Sequence, residues 1–420
     1  MAHTTSAPEG ITTVAGSKTI TFSGKGKPGD LLDPANWVGG VVPGIDNTAL
    51  ITMNVGGPVA GTFSVNNMML LGTETITFTG VLDTAGVGAC QGLMVCDGAE
   101  AIFAPGAVLN DGNVLIVGND AVGSLLAEGS GTTHSVINSV DANVGKQDDA
   151  VGTVTIDDGV WRNSGHAYIG DAGAGTLNVI DNGSALFGGS VGMGAAAGAS
   201  GTMTIASGGR VDVAGSLNVG SAATAVVSVG SGSRLMVDQA LSVGANGVVD
   251  IAGGVVAGGA TADCVRVLAG GVISGNGVLT APDGVAIQDD GVIRASGGKL
   301  EVDGNIGGTG AIQIAADSIA DITGESLRLA SIAFIGPAAT LELTHGSNVT
   351  AAISGFGLGD VIAMANVDAA SFSAATGMLT LTEHGVKVEI LHLLGSFAGD
   401  TFGVQQTAAD AIISLHQAAG

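Results

Sequence analysis

The sequence is poor in aromatic residues, charged residues and cysteine. Only 3% of its 420 residues are aromatic and 12% are charged, whereas a globular enzyme of this length normally uses more of both. Its three cysteines, Cys90, Cys96 and Cys264, are too few for a disulfide framework. A bridge between Cys90 and Cys96 stays open, because a turn would bring them together and a straight strand would not.

Basic residues, long apolar runs and an export signal are also lacking. The chain has 37 acidic and 12 basic residues, a net charge of −25. Because such a surface repels phosphate backbones and anionic lipids, we expect no nucleic-acid partner. No apolar run reaches the roughly 18 residues of a membrane helix, so we expect no membrane insertion. The N-terminal residues lack the basic and apolar regions of a Sec signal, which leaves a cytosolic protein, export by another route, or a piece of a longer chain.

What the chain does have is glycine, 73 residues of it, and a repeated phrase. "GTVTIDDG" from Gly152 returns as "GTLNVIDNG" from Gly175, "GTMTIASGG" from Gly201, "AVVSVGSG" from Ala225 and "GVVDIAGG" from Gly247. Each repeat contains three short apolar segments separated by glycine-containing turns. This number and spacing of segments is typical of one coil of a three-sided parallel β-helix.

Residues alternate cleanly within the first strand of each repeat. Val154 and Ile156 fall on one face, and Thr153 and Thr155 fall on the other. Stacked coils would form aliphatic columns inside and polar ladders outside. The sequence therefore predicts an all-β fold, a right-handed parallel β-helix with three strands and about 22–26 residues per coil, the hand following from the crossover rule.

The ends of the chain depart from the repeat. Residues 1–50 contain Trp37 and are rich in proline, as expected of an N-terminal cap that covers the first coil. Residues 51–340 are assigned to the parallel β-helix. Residues 341–420 lack the glycine-rich repeat, and apolar and polar residues alternate there, as in "GMLTLTEHGVKVEILHLLG". This pattern predicts a C-terminal β cap with a role in secretion or assembly.

Three segments carry a family resemblance that covers most of the chain. "DPANWVGGVVPGIDNTALI" resembles the opening of glycine-rich repeat proteins related to autotransporter passengers, and the block from Gly152 to Gly254 resembles autotransporter-associated β-strand repeats. The C-terminal segment resembles the one that closes type I-secreted, adhesin-like repeat proteins of α-proteobacteria. The positions that match it are Gly355, Phe356, Gly359, Asp360, Ile362, Leu379, Leu394, Gly395, Phe397 and Phe402.

The resemblance implies an extracellular structural or adhesive protein of a bacterial surface or biofilm matrix, exported without an N-terminal Sec signal. It brings no enzymatic residues with it, so the protein is predicted not to be an enzyme. Self-association into filaments or layers, or binding to a surface or matrix polysaccharide, would be its mode of action. A polysaccharide-binding or polysaccharide-cleaving β-helix is the alternative.

Few residues are candidates for a site. Trp161, His166 and Tyr168 lie in "WRNSGHAY", the one stretch where aromatic rings could stack on a sugar. Turn carboxylates could bind Ca²⁺ together with turn carbonyls; the candidates are Asp157, Asp158, Asp181 and Asp289. A pectin-cleaving site is disfavoured, because no Arg-x-Lys follows His166 and a negative surface repels a polyuronate.

Overall fold

The computed structural model describes residues 18–86, 92–261, 263–282, 286–344, 348–397, 399–407 and 410–417. Strands make up 58% of it, and the described residues contain no α-helix. The chain divides into two units, one of residues 1–215 and 222–225, the other of residues 216–221 and 226–420. Both are parallel β-solenoids, with about 12 turns counted over the two, which confirms the predicted parallel β-helix. The handedness of the coils stays a prediction.

The first unit consists of stacked strands, and the described part of residues 1–50, predicted as a cap, supplies the first strands of the stack. A 3-10 turn at Pro34–Asn36 is its one helical element within the described residues. Its strands are β1 (Lys18–Thr21), β2 (Asn47–Ile51), β3 (Thr62–Val65), β4 (Asn67–Leu71), β5 (Thr75–Phe78), β6 (Val81–Thr84), β7 (Leu93–Cys96), β8 (Glu100–Phe103), β9 (Val108–Asp111), β10 (Val114–Val117), β11 (Val122–Ser130), β12 (Thr133–His134), β13 (Val136–Ser139), β14 (Asp141–Val144), β15 (Val151–Asp157), β16 (Val160–Asn163), β17 (Ala167–Ile169), β18 (Ala174–Ile180), β19 (Ser184–Phe187), β20 (Val191–Met193), β21 (Ser200–Ile205) and β22 (Arg210–Val213).

These strands form the three faces of a prism. One face stacks β5, β8, β11, β15, β18 and β21, and a second stacks β3, β6, β9, β13, β16, β19 and β22. The third face runs β1, β2, β4, β7, β10, β14, β17 and β20. Within these ladders Val154 lies beside Leu177, and Leu177 beside Met203. The repeats therefore lie on top of one another in parallel, as the sequence predicts.

The interior of the prism follows the predicted alternation. Val154, Leu177 and Met203 are fully buried, and Thr153, beside Val154, is only half-buried. The interior also takes large rings that we did not expect there. Phe78 stacks on Phe103 with ring centroids 4.9 Å apart, so a coil of this width admits aromatic side chains.

A second apolar cluster lies on the outer side of the third face. In β4 and β7, inward-facing residues alternate with Met69, Met94 and Cys96, which should face outward. These side chains are nevertheless buried with Ile116, and Leu50, Leu71 and Val114 pack against them. The near-continuous apolar runs "NMMLL" and "LMVC" match strands that are covered on both sides.

The second unit repeats the coil plan with shorter turns and ends in antiparallel strands. The strands from residue 216 onward are β23 (Leu217–Val219), β24 (Thr224–Gly230), β25 (Arg234–Val237), β26 (Leu241–Val243), β27 (Gly247–Gly258), β28 (Val265–Val267), β29 (Val272–Thr280), β30 (Ala286–Asp289), β31 (Val292–Asp303), β32 (Asn305–Gly307), β33 (Ala311–Ile314), β34 (Ile319–Ile322), β35 (Ser326–Arg328), β36 (Ser331–Phe334), β37 (Thr340–Leu343), β38 (Asn348–Val349), β39 (Ala352–Ser354), β40 (Val361–Met364), β41 (Ala369–Ser373), β42 (Met378–Glu383), β43 (Val386–Leu394), β44 (Thr401–Gln406) and β45 (Ala411–His416).

Coils in the second unit fall below the predicted length. Val292 lies beside Ala311, and Ala311 lies beside Ser331, so each of these coils is shorter than the repeats in the sequence predict. In this region β27, β29 and β31 are long strands that bend from one face to the next. Gly275 and Gly277 have φ of 119° and 122°, a region that only glycine adopts freely, so the bend needs no loop.

Parallel pairing extends past residue 340, to β39 and β40, and β43 pairs in parallel with β39. Beyond it, β45 pairs antiparallel with β40, and β41, β42 and β43 form an antiparallel meander whose last strand pairs with β39. Phe402 contacts Phe356, Phe372 and Phe397 with ring centroids 6.2, 5.0 and 5.6 Å away. An aromatic cluster thus replaces the aliphatic columns in this segment. The domain boundaries at residues 50 and 340 stay predictions.

Candidate functional site

The predicted carbohydrate-binding trio is not assembled on the surface. Trp161 is 0% exposed, so its ring cannot stack on a sugar, and this part of the prediction is wrong. Its Nε1 donates to Ser139 Oγ at 3.0 Å, and its ring meets Phe187 edge-on at 5.1 Å. Trp161 lies beside Ile137 and Ala185 in neighbouring coils, and the small alanine leaves room for the indole.

His166 and Tyr168 do lie on the outer surface. Tyr168 is 41% exposed, and a Cβ on Gly192 would come within 3.0 Å of its ring, so the ring lies close to the backbone of the next coil. His166 Nδ1 accepts from Ser190 N at 3.2 Å. The two side chains therefore already contact their neighbouring coil, and their role in sugar binding stays a prediction.

Three of the predicted calcium ligands lie close together at one corner. Burial, followed by the nearby charges of Asp181 and Asp158, raises the pKa of Asp157. Asp158 lies 3.3 Å from His134 Nδ1. Within the described residues, no group of three or more His, Cys, Asp or Glu side chains could hold a metal ion. Calcium binding by Asp157, Asp158 and Asp181 stays a prediction that requires turn carbonyls as further ligands.

The fourth predicted calcium ligand, Asp289, lies in the other unit and is 0% exposed. Its Oδ1 accepts from Gly291 N at 3.0 Å, and its Oδ2 has no hydrogen-bond partner in the described part of the chain. Burial raises the pKa of Asp289 to about 7. Asp289 is thus an inward-facing carboxyl at the end of a strand, and calcium binding by Asp289 stays a prediction.

The buried Asp289 predicts an unusual pH dependence of stability. Because its pKa rises from an ordinary 3.8 to about 7 on folding, its contribution is fully present below the unfolded value and is lost as pH rises through the folded one. Asp289→Asn removes the titration. We expect the variant to be more stable than the wild type at about pH 8, by about 2–4 kcal/mol, and to lose this advantage at about pH 4.

Urea unfolding at both pH values measures the effect, and the neighbouring Asp290→Asn is the matched control. Hydrogen bonds from Thr309 lower the pKa of Asp290, so its contribution has the opposite sign and is lost as pH falls. If Asp289→Asn changed the free energy of unfolding equally at both pH values, the raised pKa of the buried Asp289 carboxyl would be refuted.

The cysteines offer no reactive group in the described residues. Cys96 and Cys264 are free and buried, and burial raises the pKa of the Cys96 thiol to about 12. A thiol that stays protonated is a poor nucleophile. Cys90 lies outside the described residues, and Cys96 is not bridged.

A groove that the sequence analysis missed crosses the second face of the first unit. It encloses about 300 Å³ beside Ile45, Val65 and Gly112. The polar residues that line it are Ser64, Asp83, Thr84, Asn110, Asp111 and Asn138. Asp83 pairs in register with Asn110, and Asn110 with Asn138. These partners lie further apart along the chain than the aligned positions of the clear repeats do, which hid the ladder in the sequence.

The groove residues bond to one another. Asp83 accepts from Ser64 Oγ at 3.1 Å and from Asn110 Nδ2 at 2.8 Å. Asn138 Nδ2 donates in turn to Asn110 Oδ1 at 2.9 Å. The groove therefore carries a continuous polar ladder from one coil to the next. Because these polar groups are bonded to one another, the surface that the groove exposes is mainly apolar.

Asp111 lies at the base of the groove and is buried. Its carboxylate accepts from Leu93 N at 2.9 Å and from Asn113 N at 3.0 Å. Burial outweighs these bonds and raises its pKa to about 6. Both oxygens of Asp83 and both of Asp111 therefore accept hydrogen bonds from the chain itself.

Neither a family model nor a curated protein matches the sequence. No helix within the described ranges is long and apolar enough to cross a membrane. The fold and the local contacts are therefore the basis for any assignment of function.

Proposed function

We propose that the protein is an extracellular structural or adhesive component of a bacterial surface or biofilm matrix. It acts by self-association or by holding a matrix polysaccharide, and it performs no chemistry of its own. The observation that carries the proposal is the use of outward polar side chains, which bond to the neighbouring coil. A scaffold needs such bonds, whereas a catalytic site needs groups held free for a substrate.

The same use of polar groups recurs in the second unit. Lys299 Nζ lies 2.7 Å from Asp321 and 2.8 Å from Glu342, which belong to the two following coils. These bonds raise the pKa of Lys299. Arg294 Nε donates to Gln313 at 2.9 Å, so two of the few basic side chains are occupied in stacking.

The charge of the chain supports an extracellular role among neutral or basic partners. A net charge of −25 keeps the protein soluble and repels nucleic acid and anionic lipid. Calcium bridging between acidic faces would favour lateral contacts. Export without a Sec signal, as in type I secretion, accords with the C-terminal resemblance.

Localisation and deletion in the source bacterium test this proposal. We expect the protein in the surface or matrix fraction, and we expect the deletion strain to lose biofilm mass and to regain it when purified protein is added. A protein found only in the cytosol, with unchanged biofilm after deletion, would overturn the proposal.

One alternative is the binding of a neutral polysaccharide in the groove of the first unit. Affinity electrophoresis in gels that contain dextran or hydroxyethylcellulose tests it, with a gel of anionic pectin for comparison and with Asn110→Ala combined with Asn138→Ala as the matched variant. Retardation of the wild type that the double variant loses would support this function. Release of new reducing ends from any of these polymers would point to the cleaving enzyme instead.

A further inference from the structure

Among the described residues of the first unit, one strand edge at the N-terminal end is left open. The first ladder strands there are β1, β3 and β5. Val38 N donates to Thr21 O at the outer edge of β1, and Val59 exchanges hydrogen bonds with Thr77 and Thr79 at the outer edge of β5. Segments of the same unit therefore cover two of the three edges.

The outer edge of β3 has no such cover among the described residues. In register, β3 pairs with β6 alone. Gly61 O accepts a hydrogen bond from Val81 N, and Val65 O accepts one from Ala85 N. Because main-chain groups point to alternate edges along a strand, the N–H and C=O groups of Thr62 and Ser64 point to the opposite edge of β3, away from β6. Both of these residues are exposed. Unpaired main-chain groups in an exposed row are a template for another strand.

The surroundings of this edge suit an apolar contact. Ile45 lines the groove beside Ser64 and Val65 and is 63% exposed. The same N-terminal segment exposes several more large apolar side chains, which are Leu32, Val38, Val41 and Met53. Exposed apolar residues that concentrate in one short segment mark an interaction surface.

Charge identifies the occupant. Residues 18–53 contain three lysines and three aspartates and so carry no net charge, while the whole chain carries −25. Two copies of so acidic a protein repel each other over most of their surface. The N-terminal segment is where that repulsion is weakest, so a second copy of this chain can approach it there.

We propose that two copies of this chain associate through the outer edges of their β3 strands. In an antiparallel pair centred on Phe63, Thr62 of each copy faces Ser64 of the other, which completes four main-chain hydrogen bonds. The contact is two-fold symmetric and uses the same surface on both copies, so it closes at a dimer. It narrows the self-association of the proposed function to dimers, and it excludes growth by this edge into filaments.

Sedimentation velocity of the full chain over a range of concentrations tests the inference. We expect a monomer–dimer equilibrium. Ser64→Pro removes the outward N–H, which proline tolerates at a strand edge, and we expect it to weaken dimerisation by at least about tenfold. Ser64→Ala is the matched control: it loses only the side-chain bond to Asp83 and should dimerise as the wild type does.

Ile45→Asp provides a second variant, should Ser64→Pro fail to fold. This exposed position tolerates a charge, and two like charges beside the two-fold axis should weaken the dimer similarly. The inference would be overturned if the wild type were monomeric at every concentration or formed filaments. It would also be overturned if a folded Ser64→Pro or Ile45→Asp variant dimerised as strongly as the wild type. Surface localisation and biofilm mass test the proposed function separately, so either can fail alone.

Discussion

Replacing Gly175 by alanine should destabilise the protein by at least about 3 kcal/mol and leave little folded protein. A Cβ at Gly175 would lie 2.1 Å from Gly170 N and 2.4 Å from Val144 O. Both are backbone atoms and cannot move aside as a side-chain end can. Circular dichroism during urea unfolding measures the loss.

The same close approach recurs in four successive coils of this column. Gly123, Gly152, Gly175 and Gly201 lie side by side, and each has a backbone atom within 2.4 Å of the Cβ position. Gly57 has nothing within 4 Å, so Gly57→Ala is the control and should be neutral or slightly stabilising. Equal stability of Gly175→Ala and Gly57→Ala would contradict the stacking geometry.

Replacing Trp161 by alanine should cost about 3–5 kcal/mol, because it leaves a large cavity inside the prism. Trp161→Phe keeps most of the packing and loses only the hydrogen bond to Ser139, so we expect a smaller loss of about 1–2 kcal/mol. Thermal and urea unfolding measure both.

Tyr168→Ala is the matched aromatic control on the outer face, and it should cost less than about 1 kcal/mol. The difference in stability loss between the Trp161 and Tyr168 variants therefore shows which of the two rings lies in the interior and which on the surface. If Trp161→Ala unfolded like the wild type and lost binding to a polysaccharide, the indole would be a surface ligand and its assignment to the core would be wrong.

The sequence was sufficient to predict the coil because each repeat encodes both period and face. Val154 and Thr153 differ in polarity at adjacent positions, and the glycine phrase brings Leu177 and Thr176 to the same places one coil later. A parallel ladder in register follows from these two facts together. The aliphatic columns follow as well, because identical positions stack.

Trp161 was predicted to lie on the surface because its side chain is large, although its place in the alternation of the strand indicates the interior. It aligns with Ala185 in the next coil, a residue that the alternation places inside. The width of the prism decides whether an indole fits, and a single sequence does not give that width. Phe187, which packs against the indole, also comes from that next coil, so the contact is not local in the chain.

The groove and the aromatic cluster depend on contacts that have no fixed spacing. Asp83, Asn110 and Asn138 follow irregular coils, so no repeat aligns them. Phe356 and Phe402 meet only because β45 folds back antiparallel on β40. Local periodicity predicts neither the groove nor the aromatic cluster. The groove depends on coils of irregular length, and the aromatic cluster depends on the reversal of the chain direction near the C-terminus.

A crystal structure of the full chain tests the central claim, that successive repeats stack in parallel and use their polar side chains on one another. We expect Val154, Leu177 and Met203 in one buried column, with Asp83 held between Ser64 and Asn110. Repeats paired antiparallel, or an Asp83 carboxylate turned free into an open cleft, would contradict it.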